Sequence, residues 1–133
     1  MKHSLDVKVY YEDTDSMGVV YYANYLKYYE RGRSELIEAL GQPISLWNEQ
    51  GFNFAVFKAD IRYHKPARLA DRLRVETEIV PGSPFRLKMK QIVYRDGEML
   101  NEALIQLVCL DGEFQLQEFP DSLLPIVLCS DSE

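Results

Sequence analysis

The chain has 133 residues, 47% of them hydrophobic and 27% charged, the balance of a globular domain whose core buries roughly two-thirds of the unfolded surface. Its formal net charge of -6 disfavours non-specific nucleic-acid binding, which needs a basic face, but not a small anionic ligand held by local cations. Two cysteines, Cys109 and Cys129, form neither a disulfide framework nor a zinc spacing and are expected as reduced thiols. No apolar signal segment leads the chain and no run approaches the ~20 apolar residues of a membrane span. A cytoplasmic location with no membrane span is expected. Residues 1–133 read as a single domain, with 130–133 as a frayed tail.

In chain order, Leu5, Val7, Val9 and Tyr11 alternate with Asp6, Lys8 and Tyr10, which predicts a strand with one buried face. The acidic stretch Glu12-Asp13-Thr14-Asp15 follows, and Gly18 supplies a turn. From about Tyr22 to Leu40 the period changes. Tyr25, Tyr28, Tyr29, Gly32, Leu36, Ile37 and Leu40 recur at three- and four-residue steps, which predicts an amphipathic helix of about five turns. Gly41 and Pro43 end it. Gly32 inside it costs about 1 kcal/mol against alanine, so a close approach to a sheet is expected there. A second short helix is predicted at Ile44 to Glu49.

The rest reads as strand. Phe52 to Tyr63 is long and aromatic. Leu73, Val75, Thr77 and Ile79 alternate, and Pro81-Gly82 reads as a turn. Phe85 to Tyr94 places Leu87, Met89, Gln91 and Val93 on one face. Arg95-Asp96-Gly97 and Asp111-Gly112 carry hairpin signals on either side of Met99 to Leu110. A last strand is predicted at Phe114 to Phe119 and a short helix within Asp121 to Leu128. One long helix on a hairpin-connected antiparallel sheet is an α+β layer architecture. A single helix cannot cover five or six strands, so a second copy is expected to bury part of the sheet.

Few residues suit chemistry. Cys109 lies in the apolar run LIQLVCL and reads as a core thiol. His3 is terminal, and His64 in YHKPARL reads as a bend residue. Neither a Gly-x-Ser-x-Gly elbow nor a phosphate-binding Gly-rich loop is present, and nothing completes a metal site around YYEDTD. Asp15 remains. Aspartates favour turns and helix N-termini for structural reasons, and Asp13 fits that role well. A carboxylate beside a helix start also has a chemical use. The first turn of a helix has N–H groups without partners. They stabilise an oxyanion, each at roughly 3–4 kcal/mol where measured, while the carboxylate activates water or attacks the carbonyl.

The segment YEDTDSMGVVYYANYLKYYERGRSEL closely resembles the opening of the 4-hydroxybenzoyl-CoA thioesterase family, and within it the branch of small acyl-CoA thioesterases associated with the bacterial Tol–Pal gene cluster. Thr14, Asp15, Gly18, Val19, Val20, Ala23 and Tyr25 fill the family signature in order. RYHKPARLADRLRVETEI matches more loosely, and the similarity spans about residues 7 to 112. The resemblance implies the hotdog fold, a long central helix wrapped by a five- or six-stranded antiparallel sheet. It implies hydrolysis of acyl-CoA thioesters by a homodimer or homotetramer with its site at a subunit interface. Asp15 is then the catalytic carboxylate, and Tyr22 contributes its backbone N–H. Tyr11, Gly18, Val20 and Arg86 are implied as substrate-binding. No metal is implied, and no cofactor beyond the CoA of the substrate.

The chain departs from that pattern twice. Tyr22 stands where many members of the branch have histidine, and the turn PGSPFR, residues 81 to 86, holds few of the basic residues that relatives offer to CoA phosphates. Arg62, Lys65 and Arg68 are the alternative phosphate partners. The aromatic helix start with Phe52, Phe54 and Phe57 suggests a pocket for short, medium or aromatic acyl groups. The alternative function is a non-catalytic module that binds acyl-CoA or acyl carrier protein. A dehydratase of the same fold is a weaker reading, because neither histidine is well placed for it.

Overall fold

The computed structural model describes residues 1–129; the tail read as frayed lies outside them. Six antiparallel strands form one sheet: β1 (Lys2–Lys8), β2 (Asn53–Tyr63), β3 (Arg72–Ser83), β4 (Arg86–Arg95), β5 (Glu98–Leu110) and β6 (Leu116–Gln117). The spatial order is β1-β3-β4-β5-β2. The short β6 pairs with the end of β5, where Cys109 and Leu110 extend beyond β4. Helix α1 (Tyr25–Ala39), entered through a 3-10 turn at Tyr22–Asn24, lies on one face of the sheet. The short helix α2 (Ile44–Glu49) packs beside α1, and α3 (Leu124–Leu128) packs on β3 and β4.

The periodicity reading of α1 holds for Tyr25, Tyr28, Tyr29, Gly32, Leu36 and Ile37, all buried, but the α-helix is shorter than expected at both ends and Leu40 is its half-buried C-cap. Across from them are Leu73, Val75, Thr77 and Ile79 of β3 and Leu87, Met89, Gln91 and Val93 of β4, also buried. Gly32 is the point of closest approach. A Cβ at Gly32 would lie 2.6 Å from Thr77 Oγ1 and 3.1 Å from Gln91 Nε2. The pattern gave no sign of Arg33, which is also buried and donates to Gln91 Oε1 at 3.1 Å. Gln91 Nε2 in turn donates to Thr77 Oγ1 (2.8 Å) and to the Tyr29 carbonyl (2.9 Å), so both ends of the Gln91 amide are paired beneath the helix.

Several boundaries differ from the sequence reading. β1 stops at Lys8, and Tyr11 sits in a 3-10 turn, Tyr11–Asp13. The turn forms because the Asp13 carboxylate accepts from the Tyr10 N–H (2.9 Å) and ends the alternation. Pro81-Gly82 is not the β3–β4 turn. The pairing of Ser83 with Arg86 puts that turn at Pro84-Phe85, and the register shifts between Val80 and Ser83. Gly82 is needed there because a Cβ would meet the Arg86 carbonyl oxygen at 2.2 Å. Asp96 and Gly97, both at positive φ, make the expected two-residue hairpin between β4 and β5. The last strand shrinks to two residues and α3 to five. Phe52 and Phe54 pack on Trp47 of α2, and Phe54 also stacks on Phe119 at 5.6 Å between ring centroids.

The Gly32 contact sets a clear expectation. Gly32→Ala gains about 1 kcal/mol of helix propensity, but its methyl group must push Thr77 and α1 apart, at a cost of about 1–3 kcal/mol. A lower denaturation midpoint is expected; an unchanged or higher one would show that the helix–sheet spacing is relaxed.

Candidate active site

The segment between β1 and the helix is a tight hairpin. The Asp15 N–H donates to the Val19 carbonyl at 2.9 Å, and the Gly18 N–H donates back to the Asp15 carbonyl at 3.0 Å. Thr14 and Val20 face each other as an antiparallel bridge. Gly18, at φ +78, takes the left-handed conformation that closes the turn. The hairpin is held from the far side by the loop after β2. Val20 N–H donates to the Ala67 carbonyl (2.8 Å), Leu69 N–H to the Gly18 carbonyl (3.1 Å), and Val19 bridges Arg68.

The two aspartates divide the work. Asp13 is buried, and its Oδ2 accepts from the Tyr10 N–H and from the Tyr28 hydroxyl at 3.0 Å. Burial and this carboxylate push the Tyr28 phenol far above its ordinary pKa, so it stays a donor. The Asp13 carbonyl accepts the Tyr21 N–H at 3.0 Å, which ties the hairpin to the helix start. Asp15 is half-buried. Its Oδ1 accepts the Met17 N–H at 2.8 Å, an Asx turn, and among the described residues its Oδ2 makes no hydrogen bond. The turn-forming reading of Asp15 is thus met by Oδ1, and Oδ2 is left without a partner among the described residues.

At the helix start, the Asn24 N–H donates to the Tyr21 carbonyl at 2.8 Å, while the Tyr22 and Ala23 N–H groups have no acceptor among the described residues. These are the orphan donors expected at a helix N-terminus. Beside them is a cavity of about 220 Å³ lined by Val20, Tyr22, Tyr25, Tyr63, His64, Lys65 and Pro66. The Tyr63 hydroxyl donates to the Tyr22 carbonyl at 3.0 Å, and its ring packs edge-on against Tyr22 and tilted against Tyr25. Desolvation, then the neighbouring Tyr22 phenol, raises the Tyr63 pKa, so its hydroxyl keeps its proton. The Tyr25 hydroxyl accepts from the Ala67 N–H at 3.1 Å, which fixes the cavity floor.

Of the residues expected at the site, Val20 and Tyr22 line this cavity, whereas Asp15 and Gly18 lie on the adjoining hairpin and line none of the described cavities. Tyr11 is 82% exposed on its turn and lines no described cavity. Arg86 lies elsewhere in the same chain. Leu87 pairs with Leu107 and Tyr63 with Asn101, six strand residues or about 20 Å apart. Arg86 instead stacks 4.2 Å over the Phe57 ring, at the bulge of β2. Lys65 pairs with Glu98, and His64 Nε2 is 2.8 Å from Glu102. Arg68 is bridged to Val19 of the hairpin. Among the described residues no group of histidine, cysteine, aspartate and glutamate side chains could hold a metal ion, and no helix is long and apolar enough to cross a membrane. Sequence reasoning missed Tyr63. It lies 41 positions from Tyr22, and only its place at the end of an aromatic strand hinted at it.

A layered sheet around one long helix with a hairpin at the helix start is a hotdog fold, and solved structures agree. A probable thioesterase from Bartonella henselae superposes with a TM-score of 0.86 at 31% identity, covering 90% of this chain and 100% of that one. A 1,4-dihydroxy-2-naphthoyl-CoA thioesterase from Synechocystis shares the fold with a TM-score of 0.87 at 21% identity, covering 100% and 99%. The thioesterase-like superfamily matches over residues 9–127, and the chain belongs to that superfamily. Among curated relatives, the acyl-CoA thioester hydrolase YbgC of Escherichia coli is 41% identical over 106 residues, 79% of each chain. The acyl-CoA thioesterase YbgC of Haemophilus influenzae is 39% identical over 119 residues, 88% of each.

The division between the aspartates predicts unequal losses of stability. Asp13→Ala leaves the buried Tyr28 hydroxyl and the Tyr10 N–H unpaired and should cost about 2–3 kcal/mol. Asp15→Ala removes one exposed turn bond and should cost under about 1 kcal/mol. Thermal unfolding of the two variants checks the order; an equal loss would contradict it.

Proposed function

We propose that the protein hydrolyses the thioester bond of acyl-CoA at the hairpin–helix junction. One observation carries the reading: a carboxylate oxygen with no partner and two N–H groups with none among the described residues lie on adjoining segments of one short stretch, Asp15 to Ala23. The thioester carbonyl oxygen accepts from the Tyr22 and Ala23 N–H groups, which hold the negative charge it gains. Asp15 Oδ2 takes a proton from water as the water oxygen bonds to the carbonyl carbon. The C–S bond then breaks and the CoA sulfur leaves as the thiol with that proton. In the alternative order, Asp15 attacks first and water opens the mixed anhydride. The thioesterase names of the relatives support the activity. The reaction draws on no metal and no cofactor beyond the substrate's own CoA, and the tyrosine-lined cavity of about 220 Å³ suits a short, medium or aromatic acyl group. Acyl carrier protein offers the same thioester arm and is the alternative donor. The setting is the cytoplasm, where the free Cys109 and Cys129 stay reduced.

The working unit is proposed as a homodimer, or a homotetramer built from it. β2 is an edge strand whose outer side has no partner among the described residues, and it exposes Val56, Phe57 and Tyr63. Such an edge is a template for a second strand. Antiparallel pairing of two β2 edges about a two-fold axis sets the Tyr63 end of one copy against the Phe57 end of the other. That arrangement brings the second copy's Arg86 toward the cavity, where it and Arg68 of the first copy can meet the CoA phosphates.

Free-thiol release from acetyl-, hexanoyl-, palmitoyl-, benzoyl- and 4-hydroxybenzoyl-CoA tests the activity. Turnover is expected with at least one shorter or aromatic substrate, and Asp15→Asn should lower it by at least about 10²-fold. Tight binding without release from any of the five would make the protein a binding module instead. Sedimentation should give at least twice the 15.5 kDa chain mass; a single-chain mass at assay concentration rules out the β2 pairing.

A further inference from the structure

The structure assigns Tyr63 a role the relatives' names do not: it is a positioning residue for the oxyanion donors, acting through the peptide that joins Tyr22 to Ala23. The inference rests on the thioesterase reading and deepens it. The Tyr63 hydroxyl donates to the Tyr22 carbonyl at 3.0 Å. That carbonyl and the Ala23 N–H are the two ends of one planar trans peptide and point in opposite directions. Fixing the carbonyl therefore fixes where the Ala23 N–H points. Accepting a hydrogen bond also polarises the peptide and strengthens the N–H at its other end.

The site's surroundings leave this job to Tyr63. The peptide belongs to a three-residue 3-10 turn ahead of α1, without a side-chain cap. Tyr22 itself is 62% exposed, so packing holds it weakly. The neighbouring contacts act elsewhere: Asp13 holds Tyr21, and Ala67 holds Val20 and Tyr25. A stabilising role alone is a poor account of this bond. Tyr63 is 46% exposed at the end of the edge strand, where losing one hydroxyl–carbonyl bond should leave the unfolding midpoint almost unmoved. Its geometry matters more to charge developing on a bound carbonyl than to folding. The bond also links the catalytic turn to β2, the strand proposed to pair with a second copy, so dimer formation and donor alignment share one residue.

Tyr63→Phe removes the hydroxyl and keeps the ring. With the best substrate, kcat should fall roughly tenfold, less than the 10²–10³-fold that follows deletion of an oxyanion donor, while KM, the sedimented mass and the unfolding midpoint stay unchanged. A second measurement covers the case of a variant that dissociates or unfolds easily. In the Asp15→Asn background, infrared spectra are taken of bound substrate labelled at the thioester carbonyl. Adding Tyr63→Phe should move the carbonyl band to higher frequency, because the carbonyl is less polarised without the hydroxyl. Unchanged kcat, a change confined to KM, or an unmoved carbonyl band would each overturn the role of Tyr63. Full activity of Asp15→Asn would instead remove the thioesterase reading beneath it.

Discussion

The buried carboxylate of Asp13 joins three parts of the chain that must be in register before any chemistry is available. Its oxygen takes the backbone of Tyr10 and the phenol of Tyr28, while its own carbonyl takes the N–H of Tyr21. The first bond ends β1, the second ties the hairpin to the body of α1, and the third sets the position from which the helix starts. A buried carboxyl group is costly unless its hydrogen-bonding sites are filled, so a misplaced hairpin would leave it exposed to that cost. The free oxygen of Asp15 and the free donors of Tyr22 and Ala23 are consequences of this arrangement. Among the described residues these groups have no hydrogen-bond partner.

The same logic explains why the helix sits so low on the sheet. Gly32 lets α1 approach Thr77 and Gln91 closely, and the buried Arg33, Gln91, Thr77 and Tyr29 groups satisfy one another there. A helix held at that depth presents its first turn at the end of the sheet, level with the loop after β2. The Val20–Ala67 and Tyr25–Ala67 bonds then close one wall of the cavity and Tyr63 another. Packing energy in the core thus sets the geometry of a polar site at its rim.

Much of this was legible in the residue pattern because it follows from short-range periodicity. The buried stripe of α1, the bounds of α2 and the inward faces of β3 and β4 needed only the spacing of apolar side chains. The glycine in mid-helix was readable as a close approach because nothing else justifies its cost. The errors have a physical pattern as well. Tyr11 continued the strand alternation but was pulled into a turn by the side chain of Asp13. Pro81-Gly82 carried a turn signal, yet its glycine serves a bulge packed on Arg86. Two features lay beyond local reasoning, the bond from Tyr63 to Tyr22 and the separation of Arg86 from the cavity at Tyr63. Both depend on which strand ends meet in space.

The central claim is that one carbonyl meets both the helix donors and the Asp15 oxygen. A crystal structure of the protein with a ketone analogue of its best acyl-CoA substrate, in which CH₂ replaces the thioester sulfur, tests it most directly. The account predicts the ketone oxygen within about 3 Å of the Tyr22 and Ala23 nitrogens, with Asp15 Oδ2 on the side from which water reaches the carbonyl carbon. A ketone oxygen bound away from the helix start, with Asp15 engaged only in its turn, contradicts it.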